Sequence, residues 1–225
     1  TLLIAGETAL FTFDLETGRR EAVCALEVDN PLTRSNDGRA DPWGGFWIGT
    51  MGKKAETGTG AIYRYYRGEL RQLFAPITIP NAICFSPDRR YGFFADTVKG
   101  YIWQQALGAR DGWPLGDPEL FIDCNKSGVH PDGAVVDSRG YVWNAQWGAS
   151  RVACYDGRGS LVSTVELPAT QISCPAFGGA DCGTLYVTSA TAHLSAASLE
   201  SQPDAGRTFA VVTGARGQRE HQVLL

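Results

Sequence analysis

Four times along this chain a short turn-forming phrase runs into an apolar strand, and the repeat length limits what the chain can fold into. The first copy reads Asn36-Asp37-Gly38-Arg39-Ala40-Asp41-Pro42 into Phe46-Trp47-Ile48-Gly49, and the second Asn81-Ala82-Ile83-Cys84-Phe85-Ser86-Pro87-Asp88 into Phe93-Phe94-Ala95-Asp96. The third reads Asp132-Gly133-Ala134-Val135-Val136-Asp137-Ser138-Arg139-Gly140 into Tyr141-Val142-Trp143, and the fourth Cys174-Pro175-Ala176-Phe177-Gly178-Gly179 into Leu185-Tyr186-Val187. Their opening residues are 45, 51 and 42 positions apart, and a turn residue (Asp41, Ser86, Asp137, Gly179) comes five positions after each. A repeat of about 40–50 residues made of short strands and tight turns is the mark of a β-propeller blade, so the expected fold is all-β.

Blades are arranged radially, so equivalent positions sit at one height around the central channel. Asn36, Asn81 and Asp132 are therefore expected to face one another and make an oxygen-lined site. Such groups are costly to bury unless satisfied, and a hard cation or a polyhydroxylated ligand satisfies them. The plainer reading is that Asn and Asp merely begin a strand or turn. Their recurrence in three copies, with Arg34 two positions before the first, favours the site.

At 225 residues the chain is long enough for one substantial core, and it reads as a single propeller domain over 1–225. Its 24 acidic and 20 basic residues offer no basic surface for nucleic acid or anionic lipid. No apolar run approaches the ~20 residues that span a bilayer, and no charged leader opens the chain. The six cysteines form no C-x-x-C pair and read as small buried hydrophobes in a reducing cytoplasm, the expected location. Many glycines and prolines and one methionine suit turns between short strands.

The first strands, Leu2-Leu3-Ile4-Ala5, Ala9 to Asp14 and Glu21-Ala22-Val23, match the outer strands of the later copies, so the chain enters within a blade that lacks its innermost strand. Arg207 to Val212 reads as an outer strand of the last copy, giving four complete blades and part of a fifth. Two longer connections interrupt the rhythm. Met51 to Gly60 is polar and Gly-rich; Thr191 to Gly206 is small and polar, with a helical turn expected around Ala196 to Leu199.

Together Arg34-Ser35-Asn36-Asp37-Gly38, Trp47-Ile48-Gly49-Thr50-Met51, Asn81 before Phe85-Ser86-Pro87-Asp88, Pro131-Asp132-Gly133, and Cys174 to Gly179 with Leu185 to Ala190 resemble the SMP-30/regucalcin/gluconolactonase family of sugar lactonases. The resemblance covers about residues 2–190 in consistent order. It implies a six-bladed propeller, of which about four and a half blades are present here, binding one divalent cation and hydrolysing aldonolactones. By motif, Asn81 and Asp132 match metal ligands, Asp132 also the catalytic acid/base, and Arg34, Asn36 and Glu56 the substrate-binding positions. The family takes a further ligand, a glutamate, from its first blade, and nothing in this sequence corresponds. Six blades at about 45 residues need about 270 residues.

Oxygen-only donors from Asn and Asp favour Ca²⁺, Mg²⁺ or Mn²⁺, with zinc as a possible catalytic occupant. Such a cation polarises the lactone carbonyl and acidifies water, Asp132 moves the proton, and Arg34, Asn36 and Glu56 bond the oxyanion or sugar hydroxyls. His130 reads as a satisfied loop residue. No G-x-S-x-G elbow is present, and Gly58-Thr59-Gly60 lacks the remaining glycine of a dinucleotide site. The aromatic residues at repeat positions read as packing between blades, with Trp147 the exception. The expected partner is a small sugar lactone; the rival reading is a non-catalytic propeller that binds a cation or a small polar ligand.

Overall fold

The computed structural model describes residues 1–225, which divide into two compact units, Thr1–Pro80 with His221–Leu225, and Asn81–Glu220. The chain is all-β and of the β-propeller class: five antiparallel meanders, each a blade, succeed one another in sequence. None of its helices is long and apolar enough to cross a membrane.

The first unit holds two blades. One is β1 (Leu2–Ala5), β2 (Ala9–Phe13) and β3 (Arg20–Ala25); the other is β4 (Thr33–Ala40), β5 (Phe46–Gly52), β6 (Gly60–Tyr66) and β7 (Glu69–Ile77). Leu10, Leu26, Ile48 and Tyr65 form the buried layer between them, with Leu3, Val23 and Val223 packed at its margin. At the far end of β4, Arg64 and Asp41 form an ion pair of 2.6 Å that is almost wholly buried.

The second unit stacks three blades. The first is β8 (Pro80–Phe85), β9 (Tyr91–Asp96), β10 (Tyr101–Ala106) and β11 (Glu119–Asp123). Next come β12 (His130–Val136), β13 (Val142–Trp147), β14 (Arg151–Tyr155) and β15 (Leu161–Glu166), then β16 (Ile172–Gly178), β17 (Thr184–Ser189) and β18 (Thr208–Val212). Cys84, Phe93, Ile102, Ala134, Val136 and Val142 fill the first interface, and Val135, Trp143, Val152, Ile172, Leu185 and Val187 the second. β8 is buried along its whole length and, Asn81 apart, carries no polar side chain; β15, on a blade's outer edge, is mostly exposed.

The turn residues five positions into each copy tie the inner hairpins. Asp41 Oδ1 accepts from the backbone N–H groups of Trp43 and Gly45, Ser86 Oγ from Arg90 and Tyr91, and Asp137 Oδ1 from Arg139 and Tyr141. Gly179 takes φ +87°, a backbone conformation that favours glycine.

The last copy departs from expectation. Arg207 to Val212 supplies β18, the third strand of its blade, and no fourth comes after it in this structure. After Val212 the chain turns at Gly214 and runs back along the neighbouring blade, with Gly217 bridged to Asp137 and Gln218 donating to the carbonyls of Phe85 and Val136. The expected helical turn is present as α1 (Ala196–Ser201), capped by Ser195, whose side chain accepts from Ser198 N–H.

Candidate functional site

A β-bulge marks the sequence-predicted positions in β4 and β12. In β4, Ser35 pairs with Thr50 and Gly38 with Ile48, so Asn36 and Asp37 together oppose Gly49 alone. In β12, Pro131 pairs with Gln146 and Ala134 with Asn144, so Asp132 and Gly133 oppose Ala145 alone. An extra residue leaves the ladder locally unpaired and re-aims its side chain. Asn36 and Asp132, which open the first and third copies of the repeat, thus also open a bulge. In the fourth copy the extra residue is Ser173, one place before the Cys174 that the sequence pattern picks out, because Ile172 pairs with Ser189 and Cys174 already pairs with Thr188.

In the first unit Arg34 and Asn36 lie together at the start of β4. Arg34 Nη1 donates to Asn36 Oδ1 at 3.1 Å and to Ser35 O at 2.8 Å, and Asn36 Nδ2 donates to Pro80 O at 2.9 Å. Glu56 lies in the loop between β5 and β6; its Oε2 accepts from Lys54 N–H and lies against Gly52, where a Cβ would collide with it. Gly52 pairs with Thr33, next to Arg34, so this loop brings Glu56 to the same end of the blade. Glu27, which carries no motif, ties that end together by accepting from the hydroxyls of Thr33, Thr50 and Tyr63. Burial first, and then Glu27, push the Tyr63 phenol well above its ordinary value.

In the second unit Asn81 is buried, 6% exposed, and Asp132 half-buried. Asn81 Nδ2 donates to Thr97 Oγ1 at 2.8 Å, and Thr97 Oγ1 donates to Pro131 O, the residue before Asp132, at 2.7 Å. Asn144, wholly buried in β13, donates from Nδ2 to Asp132 O at 2.9 Å and Gly133 O at 3.2 Å, holding the carbonyls of the bulge. Gly133 admits no Cβ, which would lie 2.8 Å from Cys174 Sγ and Ser173 O. Of the eight non-glycine residues with positive φ, Ala82 (+56°) alone lies inside a strand, directly after Asn81. Backbone held in so sparsely populated a region is a recurrent property of functional sites.

The ligating atoms that Asn81 and Asp132 can offer a cation are oxygens. No group of three or more His, Cys, Asp and Glu side chains is placed to hold a metal, and His130 is exposed at the start of β12. An amide oxygen on Asn81 and a carboxylate on Asp132 suit a hard divalent cation whose coordination is completed by water. The thiols do not suit nucleophilic work: burial pushes Cys124 up to about 12 and Cys154 to about 11, so neither is a thiolate near neutral pH. Trp147 is half-buried at the end of β13, whereas Trp47, Phe93, Phe94 and Trp143 lie in the packed interior.

Five blades, three of them with a bulged polar residue in the inner strand, define the class as a β-propeller. Residues 1–191 match the family model described as the SMP-30/Gluconolactonase/LRE-like region, and the chain belongs to that family. It is 43% identical over 218 residues to a putative sugar lactone lactonase of Rhizobium meliloti, covering 97% of this chain and 74% of that protein. It is 36% identical over 216 residues to the L-arabinolactonase of Azospirillum brasilense, covering 94% and 70%. The crystal structure of regucalcin from Agrobacterium tumefaciens, described as a calcium-binding protein, superposes with a TM-score of 0.96 at 44% identity over 99% of this chain and 76% of that one.

Proposed function

We propose that this chain is a metal-dependent hydrolase that opens sugar lactones, aldonolactones such as gluconolactone or arabinonolactone, to sugar acids. The observation that carries the reading is that Thr97 links Asn81, in the inner strand of one blade, to Pro131, the residue before Asp132 in the inner strand of the next, in a chain whose relatives include named lactonases. In this reading Asn81 and Asp132 hold one divalent cation, Ca²⁺, Mg²⁺, Mn²⁺ or Zn²⁺, which when bound supplies Lewis-acid polarisation of the lactone carbonyl. Asp132 is the acid/base. Its half-buried carboxylate takes a proton from the attacking water and returns it to the leaving ring oxygen. Arg34 and Asn36 donate to the developing oxyanion or to sugar hydroxyls, and Glu56 accepts from hydroxyls. A cytoplasmic location belongs to the same reading, supported by six cysteines that all remain thiols.

The test is hydrolysis of gluconolactone and arabinonolactone before and after removal of divalent cations, with Ca²⁺, Mn²⁺ or Zn²⁺ restored. Activity that disappears with the chelator and returns with the cation is expected. Cation uptake with no lactone opened would favour instead a non-catalytic, cation-binding propeller, a reading motivated by the regucalcin relative described as calcium-binding. Arg34→Ala is expected to lower kcat/KM by roughly ten- to a hundredfold, the worth of a hydrogen bond from a charged donor, with cation affinity unchanged. Steady-state kinetics beside a cation titration separates these effects. An unaltered kcat/KM would remove Arg34 from the substrate site.

A further inference from the structure

Thr97 carries no motif and is not one of the residues that the sequence places in a site. It comes directly after β9, in the tip that joins β9 to β10, and this tip is tied down. Gly100 N–H donates to the carbonyls of Asp96 and Thr97, Val98 N–H to Asp96 Oδ1, and Asn125 Nδ2 to Lys99 O. From this fixed turn one hydroxyl spans two blades of the second unit, accepting from Asn81 Nδ2 and donating to Pro131 O.

The direction of these bonds has a chemical consequence. A hydroxyl has one proton, and a carbonyl oxygen only accepts. The Thr97 proton is committed to Pro131 O, so Thr97 presents a lone pair to Asn81 and selects the amide nitrogen. The Asn81 oxygen is thereby turned to the opposite side of the amide. Nitrogen in that place would offer a cation hydrogen atoms instead of a lone pair.

We propose that Thr97 is the positioning residue of the cation site: it fixes which end of the Asn81 amide serves as ligand and ties that ligand to the strand that carries Asp132. The proposal rests on the cation-dependent reading above. Outer partners of this kind orient metal ligands, and their removal typically weakens metal binding about 10–100-fold.

The test compares Thr97→Val, which keeps the β-branched shape and removes the hydroxyl, with Thr97→Ser, which keeps the hydroxyl. Mn²⁺ alone is titrated into each full chain by calorimetry, with circular dichroism as the check on folding. Thr97→Val is expected to bind Mn²⁺ about 10–100-fold more weakly, and Thr97→Ser within about threefold of the parent. The turnover lost by Thr97→Val is expected to return as Mn²⁺ is raised, a recovery that general loss of structure would not give. Equal affinity in Thr97→Val would overturn the positioning role and leave the cation reading intact; a parent chain that takes up no Mn²⁺ would remove both. A second measurement needs no variant. In asparagine-labelled parent protein the Asn81 side-chain amide protons are expected to exchange slowly and to show a through-space contact to the Thr97 methyl, and a freely rotating, rapidly exchanging amide would overturn the proposal.

Discussion

Asp132→Ala is expected to lower lactone hydrolysis at least about a thousandfold while the fold persists. Loss of general acid/base catalysis alone is worth about 10²–10⁴-fold, and the same substitution removes the anionic donor of the proposed cation site. The fold is expected to survive because the side chain is half-buried and lies outside the apolar layers, while the bulge is held through the backbone: Asn144 bonds the carbonyls of Asp132 and Gly133, and Thr97 that of Pro131. Asp132→Asn separates the two roles. It keeps an oxygen donor of similar shape without the base, so residual Mn²⁺ binding without hydrolysis is expected. The measurement is kcat/KM on gluconolactone at saturating cation, beside the thermal midpoint. Turnover within about tenfold of the parent in Asp132→Ala would remove this residue from the chemistry.

Arg64→Met is expected to destabilise the first unit by about 3–5 kcal/mol, as removal of one partner of a buried ion pair generally does. Asp41 and Arg64 are only 1% and 0% exposed at their side chains, so the carboxylate left behind has no route to bulk water. Arg64 also lies 4.3 Å from the centre of the Tyr66 ring, and Asp41 fixes the inner hairpin through Trp43 and Gly45. For a chain of this size the loss corresponds to a fall in thermal midpoint of roughly 10 °C. Pairing it with Asp41→Asn is expected to restore part of the stability, since the buried charge then disappears with its partner. A fall of less than about 2 °C for Arg64→Met alone would show that the pair contributes little.

The inner strands and their turns are readable from the sequence because the repeat writes them directly. Asp41, Ser86 and Asp137 occupy one position in it and make one kind of bond. The candidate residues are readable by position and motif, and the bulges at Asn36 and Asp132 give that position a structural cause. The bulges themselves depend on pairing register, which a blade period of more than forty residues does not encode. Thr97 looks like any threonine in a turn, and its importance appears only when Asn81 and Pro131, 16 positions before it and 34 after, meet it. Glu27 collects hydroxyls from three different strands, a convergence that no local pattern announces. Asn144 gives a usable hint, as one of two polar residues, with Gln146, that interrupt an otherwise apolar inner-hairpin strand. The path after Val212, away from the last blade, is not legible in the repeat, because it is set by tertiary contacts to Asp137 and Phe85.

The recurring bulge bears on how such a chain can diversify. A residue opposite a ladder partner is constrained by that partner, whereas the first residue of a bulge is held through its backbone. Asn36, Asp132 and Ser173 occupy such positions in three separate blades. Exchanging a side chain there changes the chemistry that the blade presents while strand pairing is preserved. The architecture thus separates inheritance of the scaffold from variation of the side chains at its bulges, so each of these blades can be altered on its own.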